Sequence, residues 1–126
     1  MKSKITSFEG ACKAQEISSV LPDVSALPEK HQKSILAFYM LTIIIQALNE
    51  GWTPNWSNVN EYKYYNYFFI KADKKRPSGF GFSVSLCAYT GSLTYVGSRL
   101  CFKSEELAAF AREQFKDLYQ DYLLIP

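Results

Sequence analysis

At 126 residues, with 48% hydrophobic and 21% charged side chains, the chain fits one globular domain that can bury a core without disulfides or metal, and it lies far from disordered compositions. The net charge of +2 is too mild to imply nucleic acid by itself. The charge is nevertheless segregated: residues 1–60 hold five Lys and five acids, residues 61–103 hold seven Lys/Arg against Glu61 and Asp73, and residues 104–126 hold two basic and five acidic groups.

Thr6-Ser7-Phe8-Glu9 has the form of a capping box, with Thr6 as the cap and Glu9 reaching back to it. It predicts a short helix burying Phe8, Ala11 and Cys12. Residues 18–27, with Pro22, read as a linking loop. Pro28 and Glu29 suit the first turn of a second helix, expected to run to Glu50 with Gly51 as its left-handed cap. Between Ile35 and Ile45 only Thr42 is polar. A membrane crossing needs about 20 apolar residues, so this run predicts a central helix covered on most sides, and no membrane contact.

Residues 62–71, dense in Tyr and Phe, read as a strand, and residues 73–79 as a polar turn. In residues 80–88 strict alternation places Phe80, Phe82, Val84, Leu86 and Ala88 on one face and Gly81, Ser83, Ser85 and Cys87 on the other. Thr90-Gly91-Ser92 predicts a hairpin turn. Residues 93–102 then return as a third strand, with Val96, Leu100 and Phe102 facing alike. Ser104, Glu105 and Glu106 open a final helix whose apolar stripe is Leu107, Phe110, Ala111, Phe115, Leu118 and Tyr122. The order implies a single α+β domain over residues 1–126. Two N-terminal helices precede a three-stranded antiparallel β-meander and a C-terminal amphipathic helix, with the helices on one sheet face.

Catalytic chemistry finds little support. His31 is the only histidine, and it lies among charged residues at a helix start with no activated Ser or Cys pattern beside it. Glu105 and Glu106 are explained by helix capping, and Asp117 and Asp121 by a solvated helix face. Cys12, Cys87 and Cys101 lack C-x-x-C spacing, so no metal site or cofactor is expected and the thiols read as free in a reduced, intracellular protein. The N-terminal residues contain no apolar segment of the secretory kind. Gly79-Phe80-Gly81-Phe82 partly matches an RNA-recognition signature but lacks its basic residue and final aromatic, and reads more simply as a strand against which another element packs closely.

A binding surface is the stronger expectation. A sheet with helices on one face leaves the other open, and Trp52, Trp56, Tyr62, Tyr65, Tyr67, Tyr95 and Arg99 are the residue types that anchor protein interfaces. The competing expectation is that both indoles seal the end of the core. The alternative partner is single-stranded nucleic acid, stacked on Tyr62, Tyr64, Tyr65 and Tyr67 beside Lys74, Lys75 and Arg76.

Several stretches resemble a group of small, uncharacterised proteins encoded by phages and prophages of gut bacteria. They are residues 6–13 (TSFEGACK), 27–32 (LPEKHQ), 47–56 (ALNEGWTPNW), 61–65 (EYKYY), 79–83 (GFGFS), 96–104 (VGSRLCFKS) and the helix around residues 114–119 (QFKDLY). The resemblance implies a phage product acting in the host cytoplasm or associated with the virion. Its partner would be a phage protein, a host protein or a second copy. It transfers no site residue.

Overall fold

The computed structural model describes residues 5–126. It is α+β, with helices α1 (Phe8–Ala14), α2 (Glu29–Leu48), α3 (Glu105–Gln114) and α4 (Lys116–Leu123), and a two-stranded antiparallel sheet of β1 (Lys63–Ala72) and β2 (Phe80–Thr90).

The cap of α1 is Ser7, not Thr6. Ser7 takes the extended backbone an N-cap needs, and its Oγ accepts from Gly10 N at 2.9 Å. Phe8, Ala11 and Cys12 are buried as the pattern requires. At the other end, the Gln15 amide donates to Ala11 O and to Ile43 O, tying α1 to the middle of α2. Helix α2 closes at Asn49, after which Glu50 (φ 52°) and Gly51 (φ 85°) both turn left-handed. Its residues Leu41, Ile44, Ile45 and Leu48 lie in the core with α1 and α4 packed around them. The expected cover on most sides is not there, because the flank bearing Ile35, Phe38, Thr42 and Gln46 lines a groove instead.

The third strand of the expected meander is absent. Thr94 Oγ1 accepts from both Val96 N and Gly97 N, and Gly97 takes φ 80°, so the chain turns where a strand would have to extend. After a 3-10 turn (Ser98–Leu100), the segment reaches the sheet at one residue only. Phe102 exchanges two backbone bonds with Tyr64, at 2.7 and 3.0 Å, on the edge of β1 away from β2. Residues 91–102 therefore form a strap across the sheet rather than a neighbour to β2.

A bulge also reshapes the second strand. Phe69 pairs with Val84 and Ile70 with Phe82, leaving Ser83 as the extra residue. The expected single face of Phe80, Phe82, Val84, Leu86 and Ala88 is therefore split. Phe82 turns inward and stacks on Phe68 with ring centroids 4.2 Å apart, whereas Val84 and Leu86 turn outward. Gly81 sits beneath the 73–79 turn, where a Cβ would stand 2.8 Å from Asp73 Oδ2, so this small residue does admit a close neighbour.

The final helix is broken at Phe115 (φ −116°, ψ 29°) into α3 and α4, although neither proline nor glycine marks the place. Ser104 caps α3 through Leu107 N. Helix α3 lies on the inner face of the hairpin, where the buried Asn66 amide donates to Ala108 O at 2.9 Å and to the Tyr119 hydroxyl at 3.2 Å.

Candidate functional site

The period of two along β1 decides which rings face where. Tyr64, Asn66 and Phe68 point to the helices, while Lys63, Tyr65, Tyr67, Phe69 and Lys71 point to the opposite, outer face. Direct pairing adds Ala88, Leu86 and Val84 of β2 to that outer face. No helix among those described covers it: Tyr67 is 38% exposed, Val84 49% and Phe69 55%. The rings form a file, with centroids 6.1 Å apart for Tyr67–Phe69, 6.4 Å for Tyr65–Tyr67 and 5.8 Å for Tyr65–Tyr95. Tyr95, on the strap, is 75% exposed.

Tyr62 departs from the expected grouping. It stacks on Tyr89 at 4.3 Å, and Tyr89 is the partner of the inward Tyr64, so Tyr62 stands on the other side of the sheet from Tyr65 and Tyr67. The basic residues are likewise dispersed. Lys74 and Lys75 are exposed in the hairpin turn, Arg76 is half-buried with an Nε that finds no partner, and Arg99 lies at the opposite end. Ten strand residues, roughly 33 Å at about 3.3 Å each, separate those ends. Among the described basic residues, Lys71 shares the outer face with the exposed rings, and Lys63, on the same face, is buried.

At the strap end the outer face is closed by a polar hub that the sequence did not reveal. The Lys63 ammonium is wholly buried. It donates to Asn58 O at 2.7 Å and Gly91 O at 2.8 Å, stands 3.4 Å from Glu61 Oε1, and lies 5.3 Å from the Trp56 ring centroid. Three ammonium protons thus meet three acceptors, which is what burial of a lysine requires. Glu61 accepts in turn from Asn55 N and from the Trp52 indole, and the Trp56 indole donates to Ser98 Oγ at 2.8 Å. Both indoles are half-buried, anchored members of a rigid loop, neither fully sealed into the core nor free.

The Asn55 N–H, followed by the Trp52 indole and Lys63, holds the Glu61 carboxyl below its ordinary 4.5. A carboxyl lowered on folding stabilises the native loop above the unfolded value, and that contribution disappears as pH falls through the folded one. Acid titration is therefore expected to release the Trp52–Trp56 loop below pH 4.5, read as a change in tryptophan emission. Glu61→Gln should abolish that transition, and an identical titration in the variant would refute the linkage.

A groove of about 1110 Å³ runs along α2, lined by Phe38, Thr42, Gln46, Trp52, Val96 and Arg99 among others. Trp52 and Arg99 thus face this groove rather than the outer rings. His31 is exposed at the start of α2, and no group of three His, Cys, Asp or Glu among the described residues is placed to hold a metal. Burial pushes the thiols of Cys12, Cys87 and Cys101 up.

Neither protein-family models, nor curated proteins, nor solved structures yield a match to this chain. No helix among those described is long and apolar enough to cross a membrane.

Proposed function

We propose that this is a phage- or prophage-encoded accessory protein that works by binding a protein partner through the outer sheet face, without catalysis, in the host cytoplasm or on the virion. The observation that carries the reading is the uncovered file Tyr65, Tyr67 and Phe69 beside Val84 and Leu86, with Tyr95 at its end. Contiguous exposed apolar surface of this kind marks contact sites in soluble proteins. Aromatic side chains contribute large contact area at low entropic cost, and no carboxylate lies among these residues to oppose burial. The rigid Trp52–Trp56 loop borders the face.

The test is a partner cross-linked in infected or lysogenic cells, identified, and rebound to purified protein. Tyr67→Lys with Phe69→Lys should weaken that complex by about 30-fold or more, the scale of an interface hot spot, while circular dichroism and melting stay unchanged. Equal binding by both proteins would remove the face from the interaction. Single-stranded nucleic acid has one observation in its favour, Lys71 beside Phe69. An oligonucleotide bound at low salt and shed steeply at moderate salt would select it instead.

A further inference from the structure

We infer that the free edge of β2 docks the β2 strand of a second copy of this chain, the two strands running antiparallel about a two-fold axis to make one four-stranded sheet. The inference rests on the reading that the protein acts by contact, but it concerns the edge of the sheet and not its face.

The backbone directions follow from the Tyr64–Phe102 bonds. Because Tyr64 spends its N–H and C=O on Phe102, away from β2, it and Tyr89 are a non-hydrogen-bonded pair. Bonding alternates along an antiparallel ladder. Thr90, Ala88, Leu86 and Val84 therefore direct their main chain at β1, and Tyr89, Cys87 and Ser85 direct theirs outward. No backbone or side-chain group among the described residues pairs with those outward groups. Beyond the bulge the edge is closed, since Phe82 N donates to Gln120 Oε1 at 3.3 Å. The strap would have covered this edge had it formed the expected third strand. It crosses to β1 instead.

The composition leaves the edge unguarded. Natural sheets blunt their edges with charge, proline or a bulge. Here no charged residue lies between Arg76 and Arg99, and β2 contains no proline. Its bulge sits at the far end, at Ser83. A second copy is the occupant this edge fits. Antiparallel pairing is self-complementary about a two-fold axis, and a neutral strand meets a neutral strand without like-charge repulsion. The register with Cys87 opposite Cys87 sets Ser85 of each copy against Tyr89 of the other and satisfies all three outward residues at once. It also joins two outer faces into one continuous apolar surface.

Sedimentation and amide hydrogen exchange of the whole chain test the inference. A monomer–dimer equilibrium is expected, in which Ser85, Cys87 and Tyr89 amides slow with rising concentration while Val84, Leu86 and Ala88 are protected throughout. Ser85→Pro removes an N–H that the hairpin does not use, so it should keep the fold and raise the dimer Kd by about 100-fold, as losing one bond in each copy implies. Tyr67→Lys with Phe69→Lys should leave the dimer intact. A monomer at all concentrations, exchange at the three amides independent of concentration, or polymers beyond a dimer would overturn the edge pairing. So would a dimer lost in the face variant but kept in Ser85→Pro. A monomer that still binds a partner through Tyr67 and Phe69 would refute the edge alone and leave the proposed function standing.

Discussion

Replacing Asn49 with leucine is expected to destabilise the fold by about 2–4 kcal/mol, because the buried Cys101 carbonyl loses its partner at about 1–3 kcal/mol and the half-buried Lys103 N–H loses a bond of about 1 kcal/mol. The Asn49 amide donates to Cys101 O at 2.9 Å, and its carbonyl oxygen accepts from Lys103 N at 3.0 Å. One side chain at the end of α2 thus satisfies both flanks of Phe102, the residue that bridges to Tyr64. Leucine matches asparagine in branching and reach, so packing alone would change little. The loss should appear in denaturant unfolding, with early exchange of the Tyr64 and Phe102 amides before global opening. A change within ±0.5 kcal/mol, the range of an ordinary surface substitution, would show that water replaces the asparagine and that the strap is not held from α2.

The second large effect is expected at Lys63. Lys63→Met keeps the unbranched stem of the side chain but strips the donor from Asn58 O and Gly91 O and removes the cation beside Glu61. Hydrogen bonds to charged groups contribute about 1.5–3 kcal/mol each, and relief of the ammonium's desolvation offsets part of that, so a net loss of about 2–4 kcal/mol is expected. The local signature separates this from a core defect. Trp56 stands over the ammonium, so its emission should change in the native state, before unfolding. An unaltered tryptophan spectrum together with unaltered stability would mean that the hub organises nothing.

The elements that could be read from the sequence are those set by local rules. Ser104 with two following acids, the long apolar run of α2, and the dense Tyr and Phe of β1 each carry their cause within a few residues, although α2 stops at Leu48, short of the expected Glu50, and Glu50 precedes Gly51 in the left-handed region. What could not be read depends on partners distant in the chain. Strict alternation in residues 80–88 gave no sign that Ser83 would be skipped, because the bulge serves to turn Phe82 onto Phe68, whose ring in turn packs on Tyr119. Residues 93–102 have the apolar spacing of a strand, but the Thr94 turn and the Asn49 clasp direct them elsewhere. The break at Phe115 has no local signal at all. Within the candidate site, Tyr65, Tyr67 and Tyr95 share the outer face, whereas Tyr62, Trp52 and Arg99, expected beside them, do not. Phe69, Val84 and Leu86 complete the face and were within reach of the period-two pattern. Lys63 was not, since a lysine in an exposed-looking strand is ordinarily solvated.

The route of the strap bears on the order in which the chain acquires its structure. The β1–β2 hairpin joins residues separated by one short turn, whereas the Tyr64–Phe102 bridge spans 38 residues and the Asn49–Cys101 bond 52. Loop closure grows costlier with separation, and long-range pairings form late. The nascent hairpin is therefore expected to form as a platform before residues 91–102 fold over it, and the rings of β1 emerge from the ribosome ahead of the segment that fastens the sheet to α2.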